Sequence, residues 1–184
     1  MPITTLDPTT ALVVIDLQRG IVGLPTAHPI ADIVANAAKL ARAFRERGLP
    51  VVLVNVAGGA PGRSDAKQPA FTPPPDWTEL VPELDRQPSD LVATKLTWGA
   101  FHGTSLDMQL RRRGVTQIVL CGVATSIGVE STARAAHEHG YHVALVSDAM
   151  TDLVLETHTN SIERIFPRLG EVGTTADVVA KLSS

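Results

Sequence analysis

Five short apolar runs recur along the chain, separated by longer segments in which apolar residues repeat with helical spacing. The runs are ALVVI (11–15), VVLVNV (51–56), DLVATK (90–95), QIVLC (117–121) and HVALVS (142–147). Because their apolar residues follow one another instead of alternating with polar ones, both faces of each strand are expected to be buried. This pattern is typical of a parallel sheet with helices on both sides.

The intervening segments predict helices over 30–47, 104–113, 126–139 and 156–166, and the end of the chain predicts a short strand at 171–174 and a helix at 176–182. Each of the first three helices is followed by a glycine, the residue that most readily adopts the left-handed conformation that ends many helices. Together the elements predict an α/β fold, a three-layer α/β/α sandwich around a mostly parallel, six-stranded sheet of Rossmann-like topology. A length of 184 residues suits one domain over 1–184.

Residues 57–82 interrupt this alternation. The segment is rich in glycine and proline and includes a PPP run, which disfavours regular helix or strand. Long irregular loops in compact domains are often functional, and this one follows the second strand at the carboxyl edge of the predicted sheet. We expect it to cover a substrate, with Arg63 available to an anionic group; a plain surface loop is the alternative.

Charge and composition give no reason to expect nucleic acid or a membrane as partner. The net charge is -3 without a basic stripe, so neither nucleic acid nor an anionic membrane surface is an expected partner. No apolar run approaches the roughly 20 residues that cross a bilayer, and the amino terminus does not look like a signal peptide. A single cysteine excludes an intramolecular disulfide. We expect a cytoplasmic protein.

Two opposite charges stand at the ends of predicted strands. Asp16 follows the run at 11–15, and Lys95 ends the run at 90–95. Alone, Asp16 could be a turn or cap residue and Lys95 a solvated edge residue. Together, each would offset the desolvation of the other and shift its pKa toward a working value. Because the carboxyl ends of parallel strands share one edge, we expect this pair and the turn at 122–128 to line one pocket.

Three blocks of the sequence resemble the isochorismatase-like hydrolase superfamily, which includes isochorismatases, nicotinamidases and carbamoyl-amide hydrolases. The blocks are ALVVIDLQRGI (11–21), ATKLTWGAFHGTSLDMQL (93–110) and GVATSIGVESTARAAHEHGY followed by SDAMTD (122–141 and 147–152). The resemblance implies that Asp16 is the catalytic acid or base and Lys95 its cationic partner. It also implies a small-molecule substrate and substrate contacts from Gln18, Trp98, Phe101, Val123, Ala124 and Thr125.

The position held by Gly128 separates two branches of that superfamily. In the cysteine-using members the nucleophile opens the helix at this position, so this chain lacks the family thiol. The turn SIG resembles instead the isochorismatase branch, in which glycine stands there and no covalent intermediate forms. By resemblance, Asp16 would protonate a vinyl-ether carbon and water would capture the resulting cation. The branch commonly carries tyrosine and histidine where this chain has Ala124 and Ser126. The resemblance also implies a cis peptide between Val123 and Ala124.

No cofactor or metal is expected. The nicotinamidases of the superfamily hold a metal through an Asp and histidines after the second strand, and this chain has no histidine between His28 and His102. The only cysteine, Cys121, is expected to pack as a small buried hydrophobe. Two alternatives stay open: an amidohydrolase in which Cys121 or a water held by Asp16 replaces the thiol, and a catalytically silent member that binds a metabolite or partner protein. The resemblance further implies a homodimer or homotetramer.

Overall fold

A single parallel sheet of six strands forms the middle layer of the protein. The computed structural model describes residues 3–65 and 72–183. The strands lie in the order β3-β2-β1-β4-β5-β6, and each neighbouring pair is parallel. Their bounds are β1 Thr10–Ile15, β2 Val51–Val56, β3 Leu91–Lys95, β4 Gln117–Val123, β5 His142–Thr151 and β6 Glu171–Gly173. The six-stranded sheet expected from the sequence is confirmed, and it is entirely parallel.

Helices cover both faces of the sheet. Their bounds are α1 Arg19–Val22, α2 Ile30–Glu46, α3 Leu106–Arg112, α4 Glu130–Glu138, α5 Leu155–Asn160 and α6 Thr175–Ser183. Buried side chains of α2 and α6 pack on one face of the sheet, and those of α3 and α4 pack on the other. Within β1, Leu12 and Val14 face the first layer, whereas Val13 and Ile15 face the second. The expected three-layer architecture is therefore confirmed, because strands covered on both faces carry apolar residues at every position.

Two expected helices are interrupted. The segment expected as one helix over 126–139 opens with a π-helical turn, Thr125–Val129, before α4 begins. The segment expected over 156–166 is divided into α5, a π-helical turn at Ser161–Ile165 and a 3-10 turn at Phe166–Arg168. The 3-10 turn contains a proline, which has no N–H to continue an α-helix. The glycines at 48, 114 and 140 follow their helices with φ of 66°, 67° and 84°, as left-handed helix ends require.

The path of the chain reverses between β1 and β4. From β1 it runs outward through β2 to β3, and it then returns to form β4, β5 and β6 on the other side. In such sheets the crevice at the carboxyl ends of the two central strands is where ligands bind. Strand β5 is longer than expected: its pairing with β4 passes from Leu120↔Leu145 to Gly122↔Met150 through a bulge, so β5 reaches Thr151 at this same edge.

The loop at 57–82 returns along the segment that follows β1. Val81 N–H donates to the Leu17 carbonyl, and Gly20 N–H donates to the Trp77 carbonyl. The Trp77 ring lies on Gly20 so closely that a Cβ there would be 2.2 Å from it. The loop ends at a 3-10 turn, Pro82–Leu84. Residues 66–71, the middle of the expected substrate cover, lie outside the described residues. In the described part of the chain, no helix combines the length and apolar character that a bilayer crossing needs.

Candidate active site

A buried ion pair joins the ends of β1 and β3. Lys95 Nζ lies 2.7 Å from Oδ2 of Asp16, the residue that follows β1. The residues are only 2% and 5% exposed. Lys95 Nζ also donates to the Thr97 carbonyl at 3.2 Å. The expectation that these two charges meet at the carboxyl edge is confirmed by this distance, while their catalytic roles stay predictions.

One oxygen of Asp16 is held by the lysine and the other is not. Among the described residues, no hydrogen-bond partner reaches Oδ1, although the atom is buried. The backbone of Asp16 has a φ of 52°, a left-handed conformation that Asp tolerates better than most residues. Burial raises the pKa of Asp16 to about 6 even though the charge and hydrogen bond of Lys95 lower it. A carboxyl group with such a pKa and one unpaired oxygen can carry a proton near neutral pH.

Strands β1 and β4 approach each other closely beside this carboxylate. Gly122 has a φ of 117°, and a Cβ there would lie 2.0 Å from the Ile15 carbonyl oxygen. At Gly128, where the first turn of the next helix begins, a Cβ would lie 2.9 Å from Ile15 Cγ2 and 3.4 Å from Asp16 Oδ2. Glycine at 128 therefore allows the turn to approach Ile15 and the carboxylate closely, and any longer side chain would stand against both.

Side chains from β5 and α5 hold the turn between Val123 and Gly128. Ser126 N–H donates to Asp152 Oδ2 at 2.6 Å, and the Thr125 hydroxyl lies 2.8 Å from His158 Nδ1. The peptide between Val123 and Ala124 is cis. Val123 ends β4 and Ala124 and Thr125 follow it, so these expected substrate contacts lie at the sheet edge that carries Asp16. Val123 and Thr125 are buried and Ala124 is half-buried.

Gln18 is placed near the site but is occupied by backbone groups. Its Nε2 donates to the Val56 carbonyl at 3.0 Å and to the Trp77 carbonyl at 2.8 Å, and its Oε1 accepts the Val56 N–H at 2.6 Å. The side chain is fully buried. The contact with substrate expected for Gln18 stays a prediction, which these bonds do not favour because they already use both ends of the amide.

The three remaining candidates differ in their burial and surroundings. Phe101 is buried, and its ring packs 5.2 Å from the His139 ring and 5.9 Å from the Tyr141 ring. Those partners stand at the far end of α4 from Gly128, which argues against a substrate contact from Phe101. Trp98 is 61% exposed. Arg63 is exposed in the first part of the loop. Their substrate contacts stay predictions.

Cys121 lies inside the sheet. It pairs with Val14 in the β1–β4 register and is completely buried. Burial raises the pKa of its thiol to about 12. A neutral, inaccessible thiol is a poor nucleophile, so this placement disfavours the cysteine-based alternative. Within 3–65 and 72–183, no group of three or more His, Cys, Asp or Glu side chains has a geometry that could hold a metal ion.

A family model for the isochorismatase domain matches residues 10–177, which include every residue of the ion pair and of the turn. This chain belongs to the isochorismatase family.

Other members of the isochorismatase family align over nearly the whole chain. The uncharacterized isochorismatase family protein YecD of Escherichia coli O157:H7 is 45% identical over 183 residues, covering 95% of this chain and 96% of that protein. The structure of an isochorismatase family protein from Burkholderia thailandensis is 49% identical, with a TM-score of 0.94 over 99% of this chain and 100% of that one. A probable isochorismatase of Pseudomonas chlororaphis is 30% identical, covering 95% of this chain and 87% of that protein. The enzyme is thus a hydrolase of the isochorismatase family.

Two polar residues at this edge were not singled out from the sequence. Asp152 is buried and follows β5 directly, as Asp16 follows β1. An aspartate directly after an apolar strand was therefore the sequence feature that could have identified it. His158 had no comparable signal, because it lies within an ordinary helical segment and meets Thr125 only through the fold.

Proposed function

We propose that this member of the isochorismatase family hydrolyses a vinyl ether by acid catalysis from Asp16, without a covalent enzyme intermediate. The observation that carries the proposal is the buried oxygen Oδ1 of Asp16, to which no described residue makes a hydrogen bond. Lys95 occupies Oδ2, so the proton sits on Oδ1. A pKa raised to about 6 keeps that proton available while still allowing its transfer.

The proposed reaction returns the acid to its starting state. Asp16 Oδ1–H protonates the terminal carbon of the vinyl ether, and the neighbouring carbon becomes a cation stabilised by the ether oxygen. Water adds to that carbon and returns a proton to Asp16. The hemiketal then collapses to a ketone, which is pyruvate if the vinyl group carries a carboxylate, and to the free alcohol. Lys95 contacts the carboxylate that forms after proton transfer, and its positive charge stabilises that carboxylate.

The absence of a thiol at position 128 supports this choice over amide hydrolysis. The cysteine of the thiol-using relatives would stand at position 128, where this chain has glycine, and Cys121 is buried in β4. Hydrolysis of a C–O or C–N bond by water alone, activated by Asp16, is the related reaction that the same geometry would permit.

Screening the purified protein against vinyl ethers, amides and esters tests the proposal. We expect turnover of a carboxyvinyl ether, detected as pyruvate, which Asp16→Asn abolishes and which slows in deuterium oxide because a proton is transferred to carbon. Asp32→Asn, at an exposed carboxylate in α2, is the matched control and should keep full activity. Turnover of amides alone, or vinyl-ether turnover that survives Asp16→Asn, contradicts the proposal.

The assembly is a separate part of the proposal. We propose a homodimer or homotetramer, and light scattering coupled to size exclusion measures it. A monomer at the concentrations used for assay contradicts this part and leaves the proposed chemistry untouched.

A further inference from the structure

A second polar cluster contacts the turn that follows β4. It consists of His28, Thr125, Thr151, Asp152 and His158, and the proposed reaction does not use it. The Thr125 hydroxyl lies 2.8 Å from His158 Nδ1, and both residues are buried. The His158 ring packs edge to face against the His28 ring, with 4.7 Å between centroids and 61° between planes. Two histidines from distant parts of the chain therefore meet beside one residue of the turn.

The segment before α2 supports this cluster from the other side. His28 N–H donates to the Thr151 hydroxyl at 3.2 Å, and His28 Nδ1 lies 2.9 Å from the same oxygen. Ala27 N–H donates to the Asp152 carbonyl at 2.8 Å. These bonds fix the His28 ring at the end of β5, so the surface on which the His158 ring packs is itself held in place.

The turn is held at two consecutive residues. The Asp152 carboxylate accepts the Ser126 N–H, and His158 bonds the Thr125 hydroxyl. Gly128 follows within the same π-helical turn. A Cβ position at Gly128 lies 3.4 Å from Asp16 Oδ2, the oxygen that Lys95 holds, so a displacement of this turn would change the packing against the Asp16 carboxylate.

We propose that His158 is a positioning residue for the reaction: packed on His28, it holds Thr125 and thereby sets the distance between the Gly128 turn and Asp16. This inference rests on the proposed function of that site. Burial and the neighbouring His28 lower the pKa of His158, although Asp152 opposes them. A neutral imidazole has one ring nitrogen that can accept the hydroxyl hydrogen of Thr125.

The first test compares two replacements of His158. His158→Phe removes the hydrogen bond to Thr125 but fills the space, whereas His158→Asn keeps a polar atom near the position of Nδ1. We expect kcat/KM to fall on the order of 10- to 100-fold in His158→Phe, through kcat more than KM, and to recover in part in His158→Asn. His137→Phe, at an exposed position near the end of α4, is the matched control and should leave kcat/KM unchanged.

Thr125 provides the double-mutant cycle. Thr125→Val should lower kcat/KM as His158→Phe does, and the double variant should be no worse than either single variant because both remove one interaction. Additive losses, or a His158→Phe enzyme that is folded and within twofold of the wild type, overturn the inference. In that case Asp16→Asn would still abolish activity, so the proposed function would stand.

A second measurement does not depend on finding a substrate. The backbone amide signal of Gly128 in proton–nitrogen correlation spectra reports the position of the turn. It should shift in His158→Phe and in Thr125→Val, and return toward the wild-type position in His158→Asn. Thr157→Val, at an exposed residue whose hydroxyl donates to the Val154 carbonyl, is the control and should leave the Gly128 signal in place. An unmoved Gly128 signal in His158→Phe overturns the inference even if the enzyme is inactive toward every compound screened.

Discussion

The ammonium of Lys95 lies 2.7 Å from Oδ2 of Asp16 although their strands, β3 and β1, are separated in the sheet by β2. The lysine side chain therefore reaches across the end of β2, and the contact depends on the register of three strands. The charge and hydrogen bond of Lys95 lower the pKa of Asp16, but burial has the larger effect and raises that pKa to about 6. With this pKa the acid is protonated in part near neutral pH, and no described residue bonds its buried Oδ1.

The pH dependence of kcat/KM should follow the protonation of Asp16. Only the protonated carboxyl can donate, so the rate should fall about tenfold per pH unit above the pKa of about 6. Steady-state rates between pH 5 and 9, with circular dichroism at each pH to verify folding, measure this. A rate that is constant or rises from pH 6 to 8 contradicts an acid role for Asp16.

Lys95→Met should move this profile and destabilise the fold. Without the ammonium, burial alone acts on Asp16, so its pKa should rise further and any remaining activity should extend to higher pH. The lone buried carboxylate should cost about 3–5 kcal/mol of unfolding free energy at pH 8, and less at pH 5, where protonation removes its charge. Urea unfolding at both pH values measures the difference. Lys39→Met, on α2, is the control, and equal losses at pH 5 and 8 would contradict the argument.

Gly128→Ala should damage the reaction more than the fold. The added methyl group would stand 2.9 Å from Ile15 Cγ2 and 3.4 Å from Asp16 Oδ2, so it would take up the space between Ile15 and the carboxylate. We expect a loss of at least about tenfold in kcat/KM and a cost of about 1–3 kcal/mol in unfolding free energy. Gly23→Ala, where a Cβ would meet nothing closer than 3.8 Å, should leave both unchanged. Undiminished activity in Gly128→Ala would show that substrate does not use this space.

Cys121→Ala should keep most of the activity. The thiol is fully buried in β4 and burial raises its pKa to about 12, so it cannot act as a nucleophile at neutral pH. The smaller side chain should cost about 1–2 kcal/mol of stability. Iodoacetamide should label the native protein slowly and the unfolded protein quickly. If iodoacetamide labels the native enzyme stoichiometrically and inactivates it, and substrate prevents both, the thiol mechanism would be supported instead.

Activity should survive exhaustive chelation. A carboxylic acid can drive the proposed reaction alone, and the described residues provide no cluster of three potential metal ligands. Turnover before and after treatment with EDTA measures this. Loss of turnover that zinc or manganese restores would reveal a metal site.

Most of the fold followed from local sequence pattern, because buried strands and glycine-ended helices are each specified by neighbouring residues. The approach of Asp16 and Lys95 was also predictable, since both follow or end strands that finish at one edge. The interruptions of the two expected helices were not predictable. The π-helical turn at Thr125–Val129 depends on Ala124, whose carbonyl accepts the N–H groups of both Ile127 and Val129.

The contacts that hold the turn could not be predicted either, because they join residues that are distant in the sequence. His158 and Thr125 are 33 positions apart, and the bulge in β5 decides where the chain reaches the carboxyl edge. A helical repeat does not reveal which polar residue on a helix faces a neighbouring turn. For Phe101, the motif indicated a substrate contact; the ring packs against Tyr141, and the substrate contact stays a prediction.

The side-chain amide of Gln18 connects its own segment to two others, the end of β2 at Val56 and the long loop at Trp77, because it both donates and accepts hydrogen bonds. It bonds both peptide groups of Val56 and the carbonyl of Trp77 at the return of the long loop. Glutamate could not donate here and methionine could do neither, so glutamine alone among side chains of this length can make all three bonds. The end of β2, over which Lys95 reaches, is thereby tied to the loop. A loop rearrangement that moved Trp77 would therefore break a bond of the same side chain that holds the end of β2.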